Sequence, residues 1–454
     1  MQTESVKEKK LSLDMTEGDE TRHIIRFTLP LLGGNLLQQT YNAADTLIVG
    51  RFLGEDALAA VGATGSVTYL FSTLCIGLSI GAGVIVSQMF GAGKLSRMKS
   101  AVFNSALVTA LFGIVVSVVA VMLAEPALTL MGVPEKLLPH SVEYMKIACG
   151  GTIAVAAYNW INAIMRAMGD SKTPLIFLGI ASFLNIALDL LFVVVLGFGI
   201  SGAAWATVMT QALSAIGCIS YCFKFNRDLA MSREEMTPDK DIMKKCIFTG
   251  IPIAAQNGLV SVSMVALQSV TNSFGETVMA AYTVSMRIEQ FIQQPFSSLN
   301  AAVSTFTGQN IGAGKSERAV KGLKAAVKIS SLLAIAVLIL LIFFRRSVVG
   351  LFIDGESVIE TASVAMLITA LFYVPLGLIH TVRGFLNGAG DTGYALINGI
   401  CEVVCRILFS LILTKISFIG CWGIWITTSL TWLFTAAAGI IRYKLGKWKN
   451  RSIA

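Results

Sequence analysis

Apolar stretches long enough to cross a lipid bilayer recur along this chain and restrict what it can fold into. A transmembrane helix needs about 20 mainly apolar residues. Hydrophobic residues make up 55% of the chain and charged residues only 14%, whereas soluble domains carry about 25% charged residues. The sequence therefore predicts an all-α polytopic membrane protein with twelve transmembrane helices. They are expected near residues 26–49, 57–87, 101–123, 141–165, 174–197, 201–222, 247–272, 277–306, 329–344, 361–386, 393–413 and 418–441.

The two halves of the chain repeat each other at an offset of 221 residues. The run Gln88-x-x-Gly91-Ala92-Gly93-Lys94 recurs as Gln309-x-x-Gly312-Ala313-Gly314-Lys315. The same shift relates Gly54-Glu55 to Gly275-Glu276, Gly169-Asp170 to Gly390-Asp391, and Gly199 with Gly202 to Gly420 with Gly423. Internal similarity at one fixed offset indicates a duplicated structural unit. Because each half holds an even number of spans, the two six-helix bundles are expected to be parallel repeats.

Spans and repeat divide the chain into five segments. These are an N-terminal tail (1–23), an N-terminal bundle (24–222), a polar linker (223–245), a C-terminal bundle (246–442) and a C-terminal tail (443–454). Most of the 35 Lys and Arg residues fall in the tails, the linker and the loops on the same side. Since basic residues concentrate on the cytoplasmic side, we expect both termini in the cytoplasm and the protein in the inner cell membrane. No signal peptide is visible in the first 23 residues, so the first helix is expected to direct insertion.

Several other function classes lack their sequence signatures. The net charge of +8 is spread over short segments without a contiguous basic face, which argues against nucleic-acid binding. Gly314-Lys315-Ser316 resembles the end of a phosphate-binding loop, but Gln309 stands where that motif needs a glycine. The three histidines are far apart and have no partners at ligand spacing, so neither a structural metal nor a catalytic triad is expected. We therefore expect neither an enzyme nor a cofactor.

Carboxylates inside predicted membrane helices are functional candidates, because burying a charge in lipid costs several kcal/mol. On the first helix, Asp45 continues a polar stripe through Asn35, Gln38 and Asn42 at helical spacing. On the fifth helix, Asn185 lies one turn before Asp189, and Thr207 lies near the start of the sixth. Counted from the outer helix ends, Asp45, Thr207 and Asp189 lie at depths of roughly 7, 9 and 12 Å.

These four oxygen-bearing side chains, Asp45, Asn185, Asp189 and Thr207, predict an ion site. Oxygen ligands suit a hard cation such as Na+. The site would equally bind a proton, because two close carboxylates cannot both ionise cheaply in a low dielectric. In the structural alternative, Asp45 touches only the outer interface and Asp189 bonds neighbouring backbone.

Further charged residues lie in predicted helices of the second half. Glu402 and Arg406 are four residues apart, so they are expected to pair with each other. Arg287 and Glu289 are two apart and cannot face each other, so each needs another partner, and Glu289 is a candidate for lining the second half. Glu289, Glu402 and Arg406 are thus secondary site candidates.

With these residues the chain resembles the multidrug and toxic compound extrusion (MATE) family of the MOP flippase superfamily, which has two bundles of six helices. The resemblance covers residues 24–445. It is carried by Pro30 fifteen residues before Asp45, by Asn185 with Asp189 and Thr207, by Arg166-Ala-Met-Gly-Asp170 and by the duplicated Gly-Ala-Gly-Lys loops.

The resemblance implies a role for several of these residues. Asp45, Asn185, Asp189 and Thr207 would form the cation site of the N-terminal bundle, Pro30 would bend the first helix, and Gln38, Tyr41 and Asn162 would line the substrate cavity. One branch of the family has acidic residues on helices seven and ten, where this chain has Val260 and Leu376. That difference favours the N-terminal cation site over a C-terminal one.

The expected function is secondary active efflux of small amphipathic, often cationic compounds in antiport with Na+ or H+, by a functional monomer in the bilayer. Transporters built from repeats bind substrate at the repeat interface. The alternative is a lipid-linked oligosaccharide flippase of the same superfamily. A flippase would want many basic residues in its cavity, and the sequence suggests Arg287 and Arg406 as the only ones deep in the helices.

Overall fold

The computed structural model describes residues 12–453, and within that range the chain is helical throughout, without a β-strand. Of the predicted N-terminal tail, residues 1–11 lie outside the described range. The α-helices are α1 (Glu20–Leu53), α2 (Glu55–Gly91), α3 (Leu95–Met122), α4 (Ala124–Leu130), α5 (Leu138–Gly150), α6 (Thr152–Ala167), α7 (Lys172–Asp189), α8 (Gly199–Phe225), α9 (Lys240–Asn272), α10 (Glu276–Gly312), α11 (Ser316–Gly350), α12 (Glu356–Ala370), α13 (Tyr373–Gly388), α14 (Gly393–Leu413) and α15 (Gly423–Lys444).

These helices form twelve spans in two six-helix bundles, as the sequence predicts. Eight spans are long and apolar enough by length and composition alone, and two more are helix pairs bent by 41° (α5 with α6) and 51° (α12 with α13). The remaining two, α1 and α10, are long enough but too polar for that criterion. Polar side chains of α1 and α10 face a cavity between the bundles, which removes them from lipid.

Equivalent positions of the two halves adopt the same local conformation. Gly54 and Gly275 both have φ of 86°, where each allows a sharp turn between two long helices. Asp19 caps α1 by accepting from the backbone N–H of Arg22, and Asp239 caps α9 by accepting from Asp241 and Ile242. The duplication in the sequence is therefore a duplication of turns and caps as well as of helices.

The two bundles meet along α2 with α9 and along α1 with α10. Glycines bring α2 and α9 into backbone contact, since a Cβ at Gly77 would overlap Ala254 and one at Gly81 would overlap Gly250. At their C-terminal ends α2 and α10 also touch. A Cβ at Gly91 would overlap the carbonyl oxygen of Gln309, and one at Gly312 that of Gln88. The bundles are thus closed against each other at the side predicted to be cytoplasmic.

The two terminal segments bind across this closed end. The side chain of Gln309 accepts from the backbone N–H of Met15 at 2.9 Å and donates to the carbonyl oxygen of Ala167 at 3.0 Å. Its repeat equivalent, Gln88, accepts from the N–H of Ile453 at 2.7 Å and donates to Gly388 at 2.8 Å. Each glutamine therefore joins one chain terminus to both bundles.

The segment bounds in the structure differ slightly from those of the sequence analysis. Residues 12–19 precede α1, which begins at Glu20, and α15 continues to Lys444. The segment between the bundles runs from 226 to 239, because α8 ends at Phe225 and α9 begins at Lys240.

Candidate cation site and substrate cavity

Asp45 of α1 and Asp189 of α7 lie beside each other inside the N-terminal bundle. Their carboxyl groups are within hydrogen-bonding distance of each other. Within the described part of the chain, one oxygen of Asp45 and both oxygens of Asp189 have no N–H or O–H donor. Asp189 is completely buried. Two carboxylates alone can only accept hydrogen bonds, so a shared proton or a bound cation would compensate their charge.

Local helix geometry positions Asp189. It is the last residue of α7, and the chain continues directly into a single π-helical stretch, Leu190–Val195. Such π-helical turns inside helices are frequent at functional sites. A π-helical turn holds more residues than an α-helical turn, so side chains after Asp189 no longer continue the faces of α7. Asp189 is therefore the last residue on its face of α7.

Polar groups surround the carboxylate pair. Tyr41 lies close to both aspartates and to Gln211, and Tyr144 of α5 is also close to both aspartates. Asn185 and Thr207 line a small cavity together with Tyr41. This cavity has about 10 Å³, roughly the smallest volume that holds one water-sized particle.

The donor set fits a hard cation or a proton. Neither the amide oxygen nor the amide nitrogen of Asn185 has a partner within residues 12–453, although Asn185 is buried. Buried polar atoms are normally hydrogen-bonded, so these orphan atoms indicate a site for an additional group. Carboxylate, amide and hydroxyl oxygens are ligands that Na+ accepts, and the pair of carboxyls can share one proton.

A second and larger cavity of about 540 Å³ lies between the two bundles. Helices α1, α2, α6, α9, α10 and α13 line it. Gln38 lies on the wall of this cavity. Tyr41 lines the small cavity of the N-terminal bundle instead. Asn162 is 6% exposed and lies beside Tyr158, and it lines neither cavity.

The basic residues that line the large cavity are not the two that the sequence suggested. Arg166, His380 and Arg383 lie on its wall, and no Asp or Glu does among the described residues. The expectation that Arg287 and Arg406 are the only deep basic residues is therefore wrong. Arg166 follows the predicted span 141–165 directly, and Arg383 lies within the predicted span 361–386. Both could therefore have been recognised from the sequence as basic residues in or next to a membrane helix.

Glu402 and Arg406 form the predicted ion pair, at 3.0 Å. Glu402 also lies 3.6 Å from Arg383. Arg406 is completely buried and donates a second bond, to Ser263. Neither Glu402 nor Arg406 lines the large cavity, so this cluster holds α9, α13 and α14 together.

Glu289 is buried inside the C-terminal bundle and away from the large cavity. It lies close to Thr369, Arg406 and Tyr373. One of its oxygens has no hydrogen-bond partner within the described range. Pro30 lies inside α1, which continues as a helix on both sides of it.

The same family model matches each half of the chain separately. The MatE model matches residues 30–191 and again residues 252–412. The chain belongs to the MatE family. One match falls in each bundle and covers the first five of its six spans, so the MatE unit is repeated as the bundles are.

Relatives and solved structures agree with this MatE assignment over nearly the whole chain. A probable multidrug resistance protein of Bacillus subtilis (strain 168), YpnP, is 30% identical over 439 residues, which are 96% of this chain and 97% of the relative. A probable multidrug resistance protein of Thermotoga maritima, NorM, is 25% identical and covers 95% of this chain and 94% of its own. A MOP superfamily transporter from Pyrococcus furiosus has the same fold, with a TM-score of 0.90 at 24% identity, covering 96% and 98% of the two chains.

Sequence reasoning missed several residues that the structure places at these sites. Tyr144 and Gln211 lie beside the carboxylate pair, yet as single polar residues in long spans they gave little signal. Gln88 and Gln309 were noticed only as parts of the repeat. Their position before the paired glycines could have indicated a bundle-to-bundle contact.

Proposed function

We propose that this MatE protein is a secondary active transporter that exports small organic compounds in antiport with Na+ or H+. The observation that carries the proposal is the pair Asp45 and Asp189, two buried carboxylates side by side with oxygens that lack donors. Such a pair is costly inside a membrane protein unless an ion or proton binds there.

The ion drives export only if it binds two conformations unequally. In the proposed cycle, a cation from outside binds Asp45 and Asp189 and favours the conformation with low substrate affinity, so substrate leaves outward. About 100 mV contributes roughly 2.3 kcal/mol per charge, and a tenfold ion gradient about 1.4 kcal/mol. Together they sustain roughly several-hundred-fold accumulation of a neutral substrate.

The proposed cation site and the substrate cavity are separate but adjacent. Both use α1. Asp45 belongs to the carboxylate pair, and Gln38, two turns earlier, lines the large cavity. A change in the rotation or bend of α1 would alter both sites at once. Coupling through α1 is therefore the simplest mechanism, and Pro30 in the same helix gives it a point of bending.

A lipid-linked oligosaccharide flippase is the second candidate. Arg166 and Arg383 give the cavity basic groups that a pyrophosphate would bind. The volume of about 540 Å³ lies within the range of sites for drug-sized molecules, however, and favours a small substrate. We further propose that the protein acts as a monomer in the inner membrane, with both termini cytoplasmic.

The test is transport in everted membrane vesicles with the Na+ gradient and the pH gradient imposed separately. Two fluorescent dyes, one cationic and one anionic, serve as reporters. We expect one of the two gradients to drive accumulation of a dye against its own gradient. Dye movement that stops at equal concentrations under either gradient would contradict antiport, and movement of a labelled lipid phosphate instead would favour the flippase.

A further inference from the structure

The charge of the large cavity is positive. Arg166 and Arg383 are on its wall, and within the described range it has no acidic lining residue. Glu402 approaches Arg383 but is shared with Arg406, so one carboxylate faces two guanidinium groups. The carboxylates of Asp45 and Asp189 lie in the N-terminal bundle and do not reach this wall.

Arg166 is the cavity arginine with which no carboxylate pairs among the residues that the structure describes. No ion pair of Arg166 occurs in the described part of the chain, and its electrostatic neighbour there is Tyr158. It is partly buried at the end of α6. A buried guanidinium without a counter-charge is costly. A ligand with a negative group would supply the missing charge.

The repeat shows that the two bundles each contribute one arginine to the cavity. Asn162 and Arg166 lie four residues apart on α6, and Arg383 and Asn387 occupy the equivalent positions of α13. The order of arginine and asparagine is reversed between the halves. The two arginines therefore come from opposite bundles, at equivalent positions that differ by roughly 6 Å along the helix axis.

Hydrogen-bonding groups cover much of the remaining wall. Asn35 and Gln38 come from α1, Gln256 and Asn257 from α9, and Asn300 from α10. Amide side chains both donate and accept, and they suit a hydrophilic ligand with several polar groups. Asn35 is already bonded to Ser298 and Gln256 to Asn398. An apolar amphipathic cation would offer no hydrogen bonds to the amides of Gln38, Asn257 and Asn300 and would face two positive charges.

We propose that the substrate is a hydrophilic organic anion whose phosphate or carboxylate groups bind Arg166 and Arg383 from opposite sides. This class replaces the amphipathic, often cationic compounds expected from the family resemblance. Guanidinium groups bind both kinds of anionic group through paired hydrogen bonds. The inference rests on the proposed export function, whose substrate it specifies.

Substrate charge also determines how membrane voltage acts. With a monovalent cationic substrate exchanged one for one, the voltage contributions cancel. With an anion, outward export and inward cation movement both transfer positive charge inward, so an inside-negative potential drives both. An anionic substrate therefore makes the exchange strongly dependent on voltage.

The test measures binding to purified protein by titration calorimetry without any ion gradient. ADP and citrate are the phosphate and carboxylate probes, adenosine is the neutral match of ADP, and ethidium is the organic cation. We expect ADP or citrate to bind, with ADP at least about tenfold tighter than adenosine if phosphate is the recognised group. The Arg166→Gln protein should bind the preferred anion at least about tenfold more weakly.

Two variants control this measurement. Arg166→Lys keeps the positive charge and should retain part of the affinity. Arg287→Gln removes an exposed arginine of α10 that does not line the cavity, and should bind as the unmodified protein does. Tighter binding of ethidium than of either anion, or anion binding unchanged in Arg166→Gln, would overturn the inference. Failure of both anions to bind would overturn it too.

Two further arms separate this inference from others. Dioctanoyl phosphatidic acid presents the same phosphate on a lipid, and tighter binding of this lipid than of ADP and citrate would assign the cavity to a lipid headgroup. The second arm measures gradient-driven transport of the same anion by the unmodified protein. Anion binding that depends on Arg166, without any gradient-driven transport, would refute the antiport and leave the substrate class standing. Gradient-driven transport without anion binding that depends on Arg166 would refute the substrate class alone.

Discussion

At the scale of single residues, Glu402 shows how the C-terminal bundle holds charge. Its side chain is 8% exposed and lies between the guanidinium groups of Arg406 and Arg383. Arg406 is completely buried and has Ser263 as its other side-chain partner. Removing one member of a buried ion cluster leaves the others uncompensated, which is far costlier than losing an exposed pair.

Glu402→Gln is therefore expected to destabilise the protein by about 3 kcal/mol or more. The amide keeps the shape of the side chain but removes the negative charge that two arginines share. Thermal unfolding of the detergent-solubilised protein measures the effect as a lowered Tm. Glu360→Gln, an exposed site on α12, is the matched control and should leave Tm unchanged. Equal Tm values for both variants would contradict this account of Glu402.

The position of a single residue could be predicted from the sequence only where regular helical spacing determines it. Asp45 and Asp189 were brought together by counting depth along two helices, because a regular helix has a fixed rise. Tyr144 could not be found in this way, since its contact with the pair depends on how α5 is bent and rotated. Asn162 depends on helix rotation in the same way: it lies one turn from Arg166, yet it is buried beside Tyr158.

At the scale of elements, bends and crossings matter more than span positions. The spans near 141–165 and 361–386 are each two helices, broken at Gly151 and at residues 371–372. Hydropathy measures apolar length and does not register a bend. A Cβ at Gly151 would overlap Val208 of α8, so this glycine allows α8 to pack closely at the bend.

The crossing of α2 and α10 gives a prediction at this scale. In Gly91→Ala the new Cβ would overlap the carbonyl oxygen of Gln309, so the two helix ends must separate. The Met15 segment is bonded to the Gln309 side chain and should loosen with them. Hydrogen exchange by mass spectrometry should show residues 12–19 exchanging at least about tenfold faster.

The control for this exchange experiment lies on the same helix. Gly62→Ala places a Cβ where no other atom lies within 4 Å, so it should leave exchange unchanged. Similar exchange in both variants would show that the α2 and α10 ends do not depend on this glycine contact.

At the scale of the whole molecule, the duplication predicted the most. One offset in the sequence implied two equivalent bundles, and the structure repeats turns, caps and the glutamine contacts between them. The large cavity between the bundles followed from that architecture. Its positive charge did not, because it depends on which few side chains of α6 and α13 face inward.

Membrane orientation remains a prediction at this scale. The bias of Lys and Arg toward one side predicts that the linker and both termini are cytoplasmic. A reporter domain that is active only in the cytoplasm should therefore be active when fused at residue 230 or 450. A reporter that is active only outside the membrane should be inactive at both positions. A fusion at either position that is active on the outer side would reverse the assigned direction of transport.

The most direct test of the proposed mechanism is the Asp189→Asn protein reconstituted in vesicles. Asparagine keeps the size and hydrogen bonding of the side chain and removes its titratable charge, so folding should be retained. Substrate binding should also persist, because the large cavity is separate from the carboxylate pair. We expect this protein to bind substrate and to lose gradient-driven export under both ions. Full gradient-driven export by Asp189→Asn would contradict the role of the carboxylate pair in coupling and leave Glu289 and Glu402 as the remaining candidates.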